Sequence, residues 1–199
     1  MDSSRGKRVS NLPPNPSQWQ PERNGLAFRR RFEVPVADPL RPFEVGRRFD
    51  DVKLLRRRDL EGWVSPEALN EAYGASRHRW SAVTVPLNGA GFVIIVNDTH
   101  AVTRQNATLM EEFFHIILGH KPTRLMPCAL TGLIRREYDR DTEQAAYWSA
   151  AAALVPYGAL RAMVHGGRET AVIAQHFEVS DALVAFRLKV TKLWKRRRC

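Results

Sequence analysis

The 199-residue sequence contains few cysteines and no long apolar run. Cys128 and Cys199 are its only cysteines, which excludes a disulfide framework and a zinc site built from thiolates. No apolar stretch approaches the roughly 18 residues that a membrane-spanning helix requires, and the polar residues 2–5 are not typical of a signal peptide. We therefore expect a soluble, cytoplasmic protein with no membrane partner.

Positive charge is in excess, since 31 Lys and Arg residues against 21 acidic residues give a formal net charge of +10. Residues 1–59 are rich in Pro and Arg without a sustained period, which predicts a basic, mostly irregular N-terminal arm. Two basic clusters predict weak, nonspecific contact with nucleic acid, although an acidic partner protein explains them equally well. The clusters are Arg29, Arg30 and Arg31, and Lys195, Arg196, Arg197 and Arg198.

Regular secondary structure is predicted from about residue 60 onward. Residues 81–87 and 92–96 are rich in Val and Ile around a Gly-containing turn, which indicates a β-hairpin. A helix is predicted over residues 104–118, and an Ala-rich helix is predicted from residue 143 to the proline at 156. We expect an α+β domain over residues 60–165, with a small β-sheet and packed helices, followed by a helical segment over residues 166–199.

The C-terminal segment allows two interpretations. Two helices, at residues 169–177 and 180–198, are joined by a brief turn, which is typical of helix-turn-helix DNA-binding proteins. Alternatively, an apolar stripe on this segment packs against the rest of the domain and leaves only a solvated basic tail. The stripe consists of Val179, Leu183, Phe186, Val190 and Leu193.

The predicted helix at residues 104–118 carries Glu111-Glu112-x-x-His115. Residues four apart lie on the same helix face, so Glu111 and His115 can bind one ion, and Glu112 can reach a water molecule on that ion. Carboxylate oxygen and imidazole nitrogen are both ordinary zinc ligands. Paired glutamates in the first half of a helix are also favoured by the helix dipole and by helix propensity, so the motif alone leaves a structural role open.

Glu143 is a candidate third ligand. It begins the Ala-rich helix, whose small side chains allow close helix packing, and such packing could place its carboxylate beside the same ion with one position open for water. A capping or solvated role stays open, because Asp141 and Thr142 are typical of a helix start. His120 follows His115 by five residues, so it is predicted to point away from the metal-binding face.

Several further motifs occur in a fixed order along the chain, at residues 93–98, 103–105, 111–120, 143–146, 154–156 and 173–188. Together they resemble the ImmA/IrrE family of metallo-endopeptidases over about residues 60–195. The resemblance implies a zincin-like fold with zinc bound by His115 and Glu143, Glu112 as general base and metal-bound water as the nucleophile. It also implies cleavage of a helix-turn-helix transcriptional regulator in a mobile element or a stress response.

The sequence departs from the family at Glu111, where the family has the first histidine of His-Glu-x-x-His. Two histidines and one glutamate around a divalent ion carry a net charge of +1, whereas Glu111, His115 and Glu143 around it carry none. A neutral site acidifies its water less and polarises a carbonyl less. An oxygen-richer site also accepts Mn2+ or Fe2+ besides zinc. The chain is therefore either a metal-dependent endopeptidase or a weak or inactive family member that binds a regulator or nucleic acid.

Overall fold

The computed structural model describes residues 12–87, 89, 91–120, 125–127, 134–136 and 139–194. Within these residues, the α-helices are α1 (Trp19–Arg31), α2 (Pro42–Gly46), α3 (Pro66–Asn70), α4 (Val102–Ile117), α5 (Arg140–Leu154), α6 (Tyr157–His165), α7 (Thr170–Phe177) and α8 (Asp181–Val190). The strands are β1 (Val52–Leu55), β2 (Ala82–Leu87), β3 (Gly91–Val96), β4 (Leu125–Pro127) and β5 (Ile134–Arg136). The architecture is α+β, as predicted. None of the described helices has the length and apolar character to cross a membrane.

The larger sheet has the strand order β1-β3-β2. Strands β2 and β3 pair in antiparallel register, which confirms the predicted hairpin, and β1 pairs in parallel with β3. Ile94 and Val96 of β3 are fully buried, because alternate residues of a strand face the same side of the sheet. Strand β2 forms one edge of this sheet, and that edge runs beside the candidate site.

Helix α4 lies between this sheet and α5. Its buried face carries Leu109, Met110, Phe113 and Phe114, at the helical spacing of an amphipathic segment. Helix α5 meets it with an Ala-rich surface, and these small side chains allow the two helix axes to approach closely. The packing fixes the position of the N-terminal turn of α5 relative to the motif on α4.

Residues 12–59 are ordered, so the prediction of a mostly irregular arm is wrong for this part of the chain. Helix α1 packs on α5 so tightly that a Cβ atom at Gly25 would lie 2.6 Å from the backbone nitrogen of Ala153. Phe28, Phe32 and Phe49 join the same core, with the Phe32 and Phe49 ring centroids 4.8 Å apart. The sequence did not reveal this helix because its buried residues include Gly25, Glu22 and Arg29, which do not form an apolar pattern.

Helices α7 and α8 also pack on this core. Ser180 caps α8 by accepting a hydrogen bond of 3.2 Å from the Leu183 backbone N–H. Val179, Leu183 and Leu193 of the predicted apolar stripe are buried, whereas Phe186 and Val190 are partly exposed. The apolar stripe therefore packs on the domain, and a helix-turn-helix role in DNA binding stays a prediction.

Candidate metal centre

The structure brings together the three side chains predicted to bind a metal. Glu111 and His115 project from α4, Glu143 projects from the first turn of α5, and one ligand atom of each lies within 4.8 Å of the other two. The His115 Nε2 atom is 3.6 Å from Glu143 Oε2. Zinc bonds of ~2.0–2.1 Å in a tetrahedral site separate the ligand atoms by ~3.4 Å. Small side-chain adjustments would therefore let all three bind one ion.

The electrostatics of the cluster also suit a cation. Three carboxylates, from Glu111, Glu112 and Glu143, lie close together in a partly buried setting. Burial, and then the neighbouring charges of Glu112 and Glu143, together raise the pKa of Glu111 to about 7. Negative charge is thus in excess at this position, and a divalent ion bound there would neutralise it.

The Glu112 carboxylate is held by a residue that the sequence did not single out. Thr84 Oγ1 donates a hydrogen bond of 2.6 Å to Glu112 Oε2, across the contact between β2 and α4. This bond restricts the orientation of the carboxylate beside the ligand cluster. No sequence pattern pointed to Thr84, because the contact depends on how the strand packs against the helix.

His120 lies against His115, so the prediction that it points away from this face is wrong. Gly119 has a φ of 68°, and the His120 N–H donates a 2.9 Å hydrogen bond to the His115 carbonyl, which is a Schellman helix ending. The chain turns back, and the two Nδ1 atoms lie 3.0 Å apart. Burial, and then the charge of His115, lower the pKa of His120, which favours its neutral ring.

This contact leaves Nε2 of His115 facing Glu143, because Nδ1 is occupied by His120. Metal-binding histidines commonly donate their second ring N–H to a neighbouring acceptor, which fixes the tautomer and the ring orientation. Nδ1 of His120 lies where such an acceptor for His115 would be. Helix α4 ends just before Gly119, and a glycine at a helix end is a sequence signal for a chain reversal that could have located His120.

The cluster lies at a cleft of about 610 Å³. Residues 82–86 of the edge strand β2 line one side, and the motif face of α4 lines the other. The titratable side chains around the cleft include both basic and acidic groups. They are His78, Arg79, Arg104, Glu111, Glu112, His115, His120 and Glu143.

The predicted nucleic-acid contacts are not all accessible. Arg29 is only 1% exposed, and its guanidinium donates to the carbonyls of Ala153, Leu154, Pro35 and Asp38. Burial lowers its pKa to about 10. Arg29 therefore ties the C-terminal end of α5 to a loop, and the prediction that it contacts a partner is wrong.

Of the other residues in the two basic clusters, only Arg30 and Arg31 lie within the described part of the chain. Arg30 and Arg31 are exposed, and the Arg31 guanidinium carbon lies 5.2 Å from the centroid of the Phe49 ring. Lys195, Arg196, Arg197 and Arg198 lie outside the described residues. A role for these six side chains in nucleic-acid or partner contact stays a prediction.

Helix α4 carries two candidate ligands and a candidate base, α5 adds a carboxylate, and the edge strand β2 lies beside them. This arrangement is typical of a metallopeptidase domain. A family model for peptidases, described as the IrrE N-terminal-like domain, matches residues 58–189. Because the match covers about two thirds of the chain, the protein belongs to this family of metal-dependent peptidases. Comparisons with curated proteins and with solved structures found no match.

Proposed function

We propose that this protein is a metal-dependent endopeptidase in which Glu111, His115 and Glu143 bind the ion and Glu112 is the general base. The observation that carries the proposal is the close approach of the three ligand atoms, within 4.8 Å, on one side of a cleft. The ligand set of two carboxylates and one imidazole suits zinc and also accepts Mn2+ or Fe2+.

The chemistry divides between the ion and the side chains around it. The ion, when bound, supplies Lewis-acid polarisation of the scissile carbonyl and lowers the pKa of a coordinated water. Glu112, oriented by Thr84, accepts a proton from the attacking water and passes it to the leaving amine. His120 keeps His115 in the tautomer whose Nε2 lone pair faces the other ligands.

The shape of the cleft favours an extended peptide as substrate. Strand β2 is an edge strand, so one side of its backbone is free of pairing within the described sheet, and residues 82–86 line the cleft. A peptide that pairs with such an edge passes its backbone carbonyls alongside Glu112. We propose a helix-turn-helix transcriptional regulator as the natural substrate, on the basis of the family resemblance.

A second function is favoured by the identity of residue 111. Because Glu111 replaces an imidazole with a carboxylate, the ligand set neutralises the charge of a divalent ion and weakens its action on a carbonyl. In this alternative, the protein binds a regulator through the same cleft and does not cut it. The alternative predicts a stable complex in place of cleavage products.

The two functions are separated by an experiment with wild type and Glu112→Gln in cells. New protein N-termini are quantified for each, and proteins that co-purify with each are identified in parallel. The peptidase proposal predicts N-termini within a helix-turn-helix regulator in wild type alone, and capture of the intact regulator by Glu112→Gln. A regulator that co-purifies intact with both proteins, without any wild-type-specific N-terminus, supports the binding function and contradicts the peptidase proposal.

A further inference from the structure

A second cavity, of about 270 Å³, lies between α2 and the edge strand β1. Its lining comes from α2 with the residue that follows it, from β1, and from the short 3-10 helix after β1. The lining residues are Phe43, Gly46, Arg47, Val52, Lys53, Leu54, Arg56, Arg58 and Asp59. None of them lines the cleft at the candidate metal centre, so the two cavities are distinct.

The cavity carries strong positive charge. Four cations, Arg47, Lys53, Arg56 and Arg58, face one carboxylate, so the lining has a net charge of +3. That carboxylate, Asp59, already accepts a 2.8 Å hydrogen bond from the Arg56 backbone N–H and lies 3.8 Å from Arg58 Nε. Within the described part of the chain, the other three cations have no carboxylate within 4.0 Å. Their charge is therefore available to an anionic ligand.

Two contacts restrict groups that line the cavity before any ligand binds. The Arg56 guanidinium carbon lies 4.0 Å from the Phe43 ring centroid, which restricts its planar group by a cation–π interaction. Helix α2 lies so close to β1 that a Cβ atom at Gly46 would lie 2.5 Å from the Leu54 side chain. A restricted guanidinium loses less entropy when it binds, and its fork of donors matches the oxygens of a phosphate.

We propose that this cavity binds the phosphate of a nucleotide. A phosphate monoester carries a charge of about −1.5 to −2 at neutral pH and matches the unpaired cations better than a single carboxylate does. The partly exposed side chains of Phe43 and Leu54 offer apolar surface to the attached sugar or base. The volume lies just below the usual range of ligand sites, which is roughly 300–1,000 Å³, so the cavity has room for a phosphate with part of its nucleotide and not for a folded polymer.

The nucleotide can be a free molecule or one unit of a nucleic acid strand, and the experiment distinguishes these sources. Titration calorimetry measures binding of AMP and ATP to the full-length protein, and fluorescence anisotropy measures binding of a labelled single-stranded oligonucleotide, both at about 50 mM salt. The test variant is Arg47→Ala/Arg58→Ala. The control is Arg23→Ala/Arg77→Ala, which removes the same charge from two exposed positions outside both cavities.

Saturable binding of at least one probe is expected, weakened roughly tenfold or more by Arg47→Ala/Arg58→Ala and less than about twofold by the control. Arg56→Lys, which keeps the charge and loses the planar fork, is expected to weaken the same probe severalfold. Preference for ATP or for the oligonucleotide identifies the source. Binding of neither probe, or equal weakening by the test and control pairs, would overturn the proposal.

A measurement on wild type covers the case in which a variant fails to fold. Phenylglyoxal modifies accessible arginines, and mass spectrometry reports the extent of modification at each position. The bound probe is expected to protect Arg47, Arg56 and Arg58 and to leave the exposed Arg23 and Arg77 unprotected. Protection that is no greater at the three cavity positions than at these exposed positions contradicts the assigned site.

Discussion

Thr84 Oγ1 donates a 2.6 Å hydrogen bond to Glu112 Oε2 and thereby joins the edge strand β2 to the motif helix α4. The bond makes Thr84 a positioning residue for the proposed base. We expect Thr84→Val, which keeps the shape and removes the hydroxyl, to lower kcat about tenfold or more with unchanged metal content. Thr84→Ser, which restores the hydroxyl, should recover most of the activity. Equal activity of wild type and Thr84→Val would show that the hydrogen bond has no catalytic role.

His120 is expected to contribute to metal affinity through His115. Replacing it with Phe removes the acceptor at Nδ1 of His115 and keeps an aromatic ring beside it. Loss of such a supporting partner commonly lowers metal affinity by about 10–100-fold. Competition with a chromogenic chelator measures the affinity of wild type and His120→Phe, with folding checked by circular dichroism. An unchanged affinity in a folded variant contradicts the orienting role.

Replacing Glu111 with His tests the consequence of the charge at the centre. The substitution restores the family motif and raises the charge of the ligand set with its divalent ion from 0 to +1. We expect faster cleavage, because a more positive centre polarises a carbonyl more strongly. Cleavage assays compare wild type and Glu111→His across pH with zinc or manganese supplied. A variant that is slower than wild type under every condition would show that the surroundings are suited to a carboxylate.

The raised pKa of Glu111 leads us to expect that the free energy of unfolding of the metal-free protein depends on pH. Burial, and then Glu112 and Glu143, raise its pKa from 4.5 to about 7. A raised pKa in the folded state stabilises the fold while the group is protonated, so this contribution is full below about pH 4.5 and is lost as pH rises through 7. The resulting decrease in the free energy of unfolding is at most about 3 kcal/mol. Urea unfolding of wild type and Glu111→Gln without metal should show the decline in wild type only, and parallel profiles would contradict it.

The same titration sets the pH dependence of metal binding. A proton on Glu111 competes with the ion, so affinity should fall as pH decreases below about 7. In Glu111→Gln the affinity is lower overall, and the part of this pH dependence that Glu111 contributes is absent. Calorimetric titration with Mn2+ at several pH values measures both effects. An affinity of wild type that rises on acidification is incompatible with Glu111 as a ligand.

Local sequence patterns predicted the part of the fold that depends on local periodicity. The hairpin of β2 and β3, the motif helix and the Ala-rich helix that ends before Pro156 follow from the spacing of apolar residues and from helix-terminating residues. Helix α1 does not follow from such patterns, because its contact with α5 depends on the absence of a side chain at Gly25. The burial of Arg29 could not be predicted from the sequence either, since its partners are backbone carbonyls contributed by distant residues.

The candidate centre was predictable in its ligands and not in its supporting residues. Helical spacing places Glu111 and His115 together, and the family resemblance pointed to Glu143. Thr84 and His120 support the centre through tertiary packing and through a chain reversal at Gly119, and neither relation has a fixed spacing in sequence. Such supporting residues require the three-dimensional arrangement to be known.

Glu112 is proposed to act as the base, and Glu111, His115 and Glu143 are proposed to bind the ion. The most direct test of both roles combines elemental analysis with regulator cleavage for wild type, Glu112→Gln, His115→Ala and Glu143→Ala. We expect one divalent ion per chain in wild type and Glu112→Gln, cleavage in wild type only, and loss of the ion in the other two variants. Equal metal content in all four proteins, or cleavage by Glu112→Gln at the wild-type rate, would contradict these roles.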